Sequence, residues 1–139
     1  MIAYNRLELD ITDAASVDAA VKEYKPEVII NAAAYTAVDK AESERERAWA
    51  INATALDNLA YAADTIGALL IHVSTDYVFN GTATKPYTES ESLAPLGAYG
   101  ASKLEGEKSA AKARRHLIVR TAWVFSEYGN NFLKTMLRV

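Results

Sequence analysis

The sequence predicts an α/β fold built around a parallel sheet. Residues 28–30 and 69–73 are apolar runs with the length and β-branched content of strands in such a sheet. Between them, over residues 44–66, apolar side chains recur every three or four positions, which is the period of an α-helix. Strands that alternate with helices pair in parallel through right-handed crossovers. The 139 residues, half of them hydrophobic, are enough for one domain with a sizeable core.

Residues that start and stop helices place the first elements along the chain. Residues 8–11 are a short strand candidate. Thr12 and Asp13 can cap the helix that follows, and Pro26 stops that helix. The run over 28–30 is continuously β-branched, so we expect this strand to be buried on both faces. The long helix over 44–66 then ends at Gly67, where a left-handed cap belongs.

The second half repeats the same alternation. A buried strand over 69–73 leads into a polar loop over 80–95, and a helix carrying Tyr99 follows the loop. The run over 117–121 is a further strand, and a last helix begins at about Asn131. No repeat or domain linker interrupts the chain, so the pattern favours one contiguous unit.

Three predicted strands end in small or polar residues. These ends are residues 31–34, 74–76 and 120–123. In open α/β sheets, ligands bind at the carboxyl ends of the strands. We therefore expect the three ends to converge along one edge, with the Tyr99 helix beginning beside them.

Tyr99 and Lys103 share one face of that helix, because four residues separate them. A lysine charge favours the tyrosinate form of a nearby phenol, so the pair can move protons near neutral pH. By itself this spacing is common on solvated helices. Here a strand ending in the hydroxyls of Ser74 and Thr75 precedes it, which favours a catalytic site.

Five stretches, in order along nearly the whole chain, closely resemble the extended short-chain dehydrogenase/reductase family, and within it the dTDP-4-dehydrorhamnose reductases. The stretches are residues 9–13, 31–42, 74–79, 99–107 and 120–125. The resemblance implies a Rossmann-like doubly wound parallel sheet. It also implies NAD(P)H-dependent reduction of dTDP-4-dehydro-6-deoxy-L-mannose, a nucleotide sugar, to dTDP-L-rhamnose. An alternative is a non-catalytic, cofactor-binding regulatory subunit, because the β subunit of methionine adenosyltransferase resembles the same family.

The resemblance assigns roles to individual residues. Tyr99 donates the proton to the keto oxygen, Lys103 holds the nicotinamide ribose and tunes Tyr99, and Thr75 hydrogen-bonds the substrate. Asp76 and Trp123 fall where the family contacts the deoxysugar, although an aromatic residue after a strand is more often packing. The remaining positions, together with Tyr99 and Lys103, are those expected to meet the cofactor: Asp10, Ile11, Ala32, Ala33, Ala34, Tyr35 and Thr36.

Cofactor choice depends on Arg6. An acidic residue after the second strand of such a sheet grips the ribose of NADH, whereas an arginine can meet the 2′-phosphate of NADPH. Arg6 lies at this position and no aspartate precedes Asp10. A guanidinium is a planar fork suited to phosphate. We expect NADPH to be preferred, with NADH also accepted, although an arginine on a loop can equally point to solvent.

The Gly-x-x-Gly-x-x-Gly turn that opens this family's fold does not occur among the six glycines of the chain. We therefore expect residues 1–139 to form a partial dinucleotide-binding domain, whose sheet lacks the family's first strand and first helix. The family's substrate lobe would follow residue 139. Alone, such a chain is expected to be inactive.

Composition excludes several other classes of protein. A net charge of −3 argues against a nucleic-acid surface, and the apolar runs are too short to span a membrane. The absence of cysteine excludes disulfides and thiol catalysis and suits the cytoplasm. His72 lies inside an apolar strand, as a core histidine would, and His116 has no partner at metal spacing, so no metal site is expected. Association into a homo-oligomer stays open.

Overall fold

The computed structural model describes residues 1–129 and 131–138, and these form one three-stranded parallel sheet in the order β1-β2-β3. The strands are β1 (Val28–Asn31), β2 (Leu69–Thr75) and β3 (His116–Thr121). Val28 lies opposite Leu69, and Leu70 lies opposite His116. The α/β fold class predicted from the alternation of elements, and its Rossmann-like form implied by the resemblance, are confirmed.

Five α-helices accompany the sheet in the described residues. They are α1 (Ala14–Tyr24), α2 (Arg45–Trp49), α3 (Ala55–Ile66), α4 (Ala98–Ala110) and α5 (Phe132–Met136). The Asp13 side chain caps α1 by accepting the Ala15 N–H, as predicted, and Gly67 ends α3 in the left-handed conformation with φ +71°. A π-helical turn, Ala50–Thr54, joins α2 to α3, so the predicted helix over 44–66 is continuous but not uniform.

The core lies between the sheet and the helices α1, α3 and α4. Val17 and Val21 of α1 and Leu56 and Leu59 of α3 pack with Leu70 of β2. All five are buried, which is the arrangement that the three-to-four-residue apolar repeat requires. The same packing presents α4 to the carboxyl end of β2.

The opposite face of the sheet is open. Ile30 is 63% exposed and Leu117 is 49% exposed, and Val28 and Val119 beside them are also exposed. The prediction that the 28–30 strand is buried on both faces is therefore wrong for this structure. The physical reason is that α1, α3 and α4 all pack against the side chains of the other face, such as Ile29 and Leu70.

Residues 8–11 do not form the predicted strand. In the structure none of residues 1–13, all of them described, belongs to a helix or a strand. The Asn5 side chain accepts the Leu7 N–H at 2.8 Å, and the Asp10 side chain accepts the Thr12 N–H at 2.9 Å. These local bonds use the backbone groups that a sheet ladder would need.

None of the helices described above combines the length and the apolar character needed to cross a membrane.

Candidate active site

An open cavity of about 430 Å³ lies at the carboxyl ends of the three strands, next to the start of α4. Most of the residues that the sequence proposed for catalysis, cofactor and substrate line this one cavity. They are Ala32, Ala34, Thr36, Thr75, Asp76, Tyr99, Lys103 and Trp123. The convergence follows from the topology, because parallel strands bring their carboxyl ends to the same edge of the sheet.

The start of α4 places Tyr99, which lies in the first turn of the helix. The Glu42 carboxylate accepts the Ala98 N–H at 2.6 Å and so satisfies one backbone donor of that first turn. Gly100 permits a close approach to the segment after β2, since a Cβ there would lie 2.3 Å from the carbonyl oxygen of Tyr77. The Tyr77 ring meets the Tyr99 ring edge-on, with centroids 5.5 Å apart.

Burial raises the pKa of the Tyr99 phenol, and the neighbouring Thr75 hydroxyl acts in the opposite direction. The phenol therefore stays protonated at neutral pH, which is the form a proton donor needs. This direction differs from the expectation that Lys103 favours the tyrosinate. The reason is that the Lys103 amino group is directed to β2, where it donates to the carbonyl of Val73.

Lys103 is almost completely buried, with 2% of its surface exposed. Its Nζ lies 2.7 Å from the carbonyl oxygen of Val73 and 3.4 Å from Nε2 of His72. Burial lowers the pKa of Lys103 to about 8, against the opposing charge of Glu107. Lys103 therefore populates both the ammonium and the neutral amine at pH values around this pKa.

Thr75 closes β2 and turns its side chain into the loop that follows. Its hydroxyl donates to the Asp76 carboxylate at 3.1 Å and accepts the Tyr77 N–H at 3.2 Å. This arrangement fixes the Thr75 hydroxyl and the Asp76 carboxylate as neighbours on the wall of the cavity.

Trp123 lies at the mouth of the cavity and is not a core residue. Its side chain is 70% exposed and meets Phe132 edge-on at 4.6 Å. Its backbone is left-handed, with φ +52°, which is uncommon for a residue with a large side chain. An aromatic residue here could serve for packing or for ligand contact, and the exposure of Trp123 favours ligand contact.

Asn52 lies near the site, and the sequence alone allows either a solvated position for it or a tie to the neighbouring loop. It is buried in the π-helical turn, where its side chain accepts the Tyr35 N–H at 2.8 Å and donates to the Tyr35 carbonyl at 3.1 Å. It also donates to the Ser102 hydroxyl at 3.0 Å. Asn52 thus ties the loop after β1 to α4. The signal in the sequence was an asparagine inside an otherwise apolar helix stripe.

The remaining predicted residues lie away from the cavity. Arg6 and Asp10 are exposed in the turns that precede α1, and Ile11 packs against the core. Tyr35 is buried, with the Arg47 guanidinium 5.7 Å from its ring, and Ala33 is not among the lining residues. The structure therefore does not bring these five residues to the cavity.

A family model described as the RmlD substrate binding domain matches residues 1–139, which is the whole chain. The chain belongs to this family. The resemblance indicated by the five sequence stretches is confirmed.

Curated relatives in the RmlD family share the name dTDP-4-dehydrorhamnose reductase. The protein of that name from Escherichia coli K12 is 50% identical over 131 residues, covering 94% of this chain and 44% of the relative. The one from Sinorhizobium fredii is 45% identical over 140 residues, covering 100% of this chain and 47% of the relative. The chain thus spans about half the length of the curated relatives it matches.

Solved structures of proteins with the same name are similar to this chain. A dTDP-4-dehydrorhamnose reductase from Bacillus anthracis, in complex with NADP, superposes with a TM-score of 0.94 at 46% identity, over 97% of this chain and 48% of that one. The corresponding protein from Clostridium acetobutylicum gives a TM-score of 0.95 at 47% identity, over 99% and 49% of the two chains.

No group of three or more His, Cys, Asp or Glu side chains in residues 1–129 and 131–138 is arranged to hold a metal ion.

Proposed function

We propose that the protein containing this chain reduces dTDP-4-dehydro-6-deoxy-L-mannose to dTDP-L-rhamnose, with NADPH as the preferred cofactor. The observation that carries the proposal is the convergence of Thr75, Tyr99 and Lys103 on one cavity. The names of the relatives from Escherichia coli and Sinorhizobium fredii, and the NADP in the Bacillus anthracis structure, support it.

Different residues of the chain donate the proton, stabilise charge and bind the sugar at the keto group. Tyr99 donates its phenolic proton to the C4 oxygen of the sugar, since burial keeps the phenol protonated. On substrate binding, the Thr75 hydroxyl turns its one hydrogen from the Asp76 carboxylate to the same oxygen and so stabilises the charge that develops there. Asp76 and Trp123, on the wall and at the mouth of the cavity, bind the deoxysugar.

The residues fit the nicotinamide half of NADPH, which supplies the hydride when bound. Ala32, Ala34 and Thr36 are small, so the chain after β1 leaves room for a close approach of the cofactor. The Lys103 amino group uses one N–H on the Val73 carbonyl, which leaves another for a ribose hydroxyl. The Gly-rich turn that would bind the pyrophosphate is not among these residues.

Residues 1–139 are proposed to be one part of a dinucleotide-binding domain, in a protein that works in the cytoplasm. The domain assignment is supported by the parallel sheet and the position of the cavity. A reducing compartment is supported by the absence of cysteine from the sequence.

The alternative, a regulatory subunit without catalysis, is not favoured. A binding module needs the cavity but has no use for a buried lysine and a protonated tyrosine beside a strand-end hydroxyl. The curated relatives described above carry the reductase name.

The test is an assay of the complete protein. We expect oxidation of NADPH to depend on dTDP-4-dehydrorhamnose, with dTDP-L-rhamnose identified as the product by mass spectrometry and NMR. Cofactor binding without any turnover of this substrate would instead support the regulatory alternative.

A further inference from the structure

His72 is a buried titratable side chain beside Lys103, and the proposed reduction gives it no role. It lies on β2 with its ring fully buried. One ring nitrogen, Nδ1, is 3.2 Å from Nδ2 of Asn31, and the other, Nε2, is 3.4 Å from Nζ of Lys103. Three side chains from β1, β2 and α4 thus form a continuous hydrogen-bonded row behind the cavity.

The orientation of the Asn31 amide is fixed by its backbone neighbour. The side-chain oxygen Oδ1 accepts the Ala33 N–H at 3.1 Å. A backbone N–H can only donate, so the oxygen must be on that side and the amide nitrogen must face His72. An amide NH₂ group is in turn only a donor. Nδ1 of His72 must therefore be the acceptor and carry no hydrogen.

This assigns the tautomer of His72. Burial, with the charge of Lys103 as a second cause, lowers the pKa of the imidazole to about 3, so the ring is neutral at physiological pH. A neutral imidazole carries one N–H. With Nδ1 occupied as an acceptor, that hydrogen lies on Nε2 and is directed at Lys103.

An N–H directed at Nζ discriminates between the two forms of lysine. A neutral amine accepts this hydrogen bond through its lone pair while still donating to the carbonyl of Val73. An ammonium has no lone pair and would set its own N–H against that of His72. The row of donors therefore favours the amine over the ammonium.

We propose that His72 is a positioning residue for reduction at this site, which stabilises the neutral amine of Lys103 by donating a hydrogen bond to it. The other charged or titratable groups near the amine act differently. Glu107, one helical turn along α4, favours the ammonium but is engaged by the Arg120 guanidinium at 2.7 Å. Tyr99 and Asp76 line the cavity side.

The inference rests on the proposed reductase function and gives Lys103 a reversible role in it. After Tyr99 has given its proton to the sugar oxygen, the Lys103 ammonium returns a proton to the phenolate through solvent in the open cavity that both line, because its amino group is directed to β2. The N–H bond of Nζ breaks, the O–H bond of Tyr99 forms, and the electron pair left on Nζ accepts the His72 hydrogen bond. His72 thereby makes Lys103 a readier proton donor.

The first test observes the row directly, in the complete protein without cofactor or substrate. ¹⁵N NMR of labelled histidine distinguishes a protonated from an unprotonated ring nitrogen. We expect His72 to show an unprotonated Nδ1 and a protonated Nε2 from pH 5 to pH 9. A protonated Nδ1, or an imidazolium in this range, would overturn the proposal without requiring any variant to fold.

The second test measures the pKa of Lys103 from the ¹³Cε signal of labelled lysine, assigned with Lys103→Arg. In His72→Leu the pKa should rise above about 8, because the donor that favours the amine is gone, and it should stay below the ordinary value of 10.5, because burial still disfavours the ammonium. His116→Leu is the matched control, since the ring of that exposed histidine hydrogen-bonds the Ala113 carbonyl and not Lys103, and it should leave the Lys103 pKa unchanged.

The two proposals fail separately. An active reductase whose Lys103 pKa is the same in His72→Leu and in the parent would refute the role of His72 alone. A protein with the assigned tautomer and the expected shift, but no turnover of dTDP-4-dehydrorhamnose, would refute the proposed function alone. In an active enzyme, the alkaline fall in kcat should move to higher pH in His72→Leu and stay in place in His116→Leu.

Discussion

At the scale of single residues, His72 makes stability depend on pH. Its folded-state pKa of about 3 lies below the ordinary value of 6.5, so the unfolded chain takes up a proton that the folded chain refuses. Stability should therefore fall as pH drops from 6.5 towards 3. Urea unfolding across this range should give a flatter dependence for His72→Leu than for the parent. Equal slopes in the two proteins would mean that the histidine is not buried neutral.

Arg6 tests cofactor choice at the same scale. The structure places it in an exposed turn away from the cavity. Hydrogen bonds from Thr12 lower the pKa of the Asp10 carboxyl, and the charge of Arg6 contributes in the same direction. If its guanidinium meets the 2′-phosphate, Arg6→Ala should lower kcat/KM for NADPH while leaving that for NADH nearly unchanged. Lys25→Ala, another exposed cation near the N-terminal segment, is the control. An unaltered NADPH/NADH ratio would remove Arg6 from the cofactor site.

At the scale of elements, α4 depends on one close contact with the π-helical turn. A Cβ at Gly106 would lie 1.9 Å from the carbonyl oxygen of Asn52. In an unconstrained helix, Gly→Ala stabilises by about 1 kcal/mol. Here the clash must push the two elements apart, and overpacking of this kind costs roughly 1–3 kcal/mol. Gly106→Ala should therefore lower the free energy of unfolding, as measured by urea denaturation, and should reduce turnover.

Gly67→Ala separates this contact from the effect of backbone conformation. A Cβ at Gly67 would meet open space, so the free-energy cost of an alanine there arises from φ +71° alone. We expect Gly67→Ala to cost stability and to leave kcat unchanged, because Gly67 is remote from the cavity. A Gly106→Ala variant more stable than the parent would show that helix propensity outweighs packing at this contact.

The periodicity of apolar residues, together with capping and helix-stopping residues, predicted most of the elements. The apolar runs of β2 and β3, the Asp13 cap and the Gly67 cap need only local information, and each appears where expected. The strand over 8–11 failed because strand formation requires a neighbouring strand, whereas Asn5 and Asp10 had local hydrogen bonds available. The exposure of Ile30 likewise depends on which face the helices cover, and no pattern within β1 encodes that.

The site was predictable where topology alone brings residues together. Thr75, Tyr99 and Lys103 converge because strand ends meet at one edge of a parallel sheet. The direction in which Lys103 points was not predictable. Helical spacing places it on the side of Tyr99, but its amino group is bound to Val73 and faces His72, across a contact between α4 and β2. Such contacts depend on packing between elements distant in sequence.

At the scale of the whole molecule, the 139 residues expressed alone should show little or no reductase activity. They contain no Gly-rich phosphate turn, so the cofactor would not be held in attack geometry. The comparison is NADPH oxidation with dTDP-4-dehydrorhamnose by this chain and by the complete protein at equal concentration. Comparable rates would show that these residues are sufficient for binding and catalysis.

The central claim is that Tyr99 donates the proton at this cavity, and Tyr99→Phe in the complete protein tests it most directly. The variant keeps the ring and removes only the hydroxyl, so kcat should fall roughly a hundred- to ten-thousand-fold. The Kd for NADPH, from fluorescence titration, should be nearly unchanged. Tyr61→Phe, on the exposed side of α3, is the matched control and should retain parental kcat. Near-parental turnover by Tyr99→Phe would contradict the account.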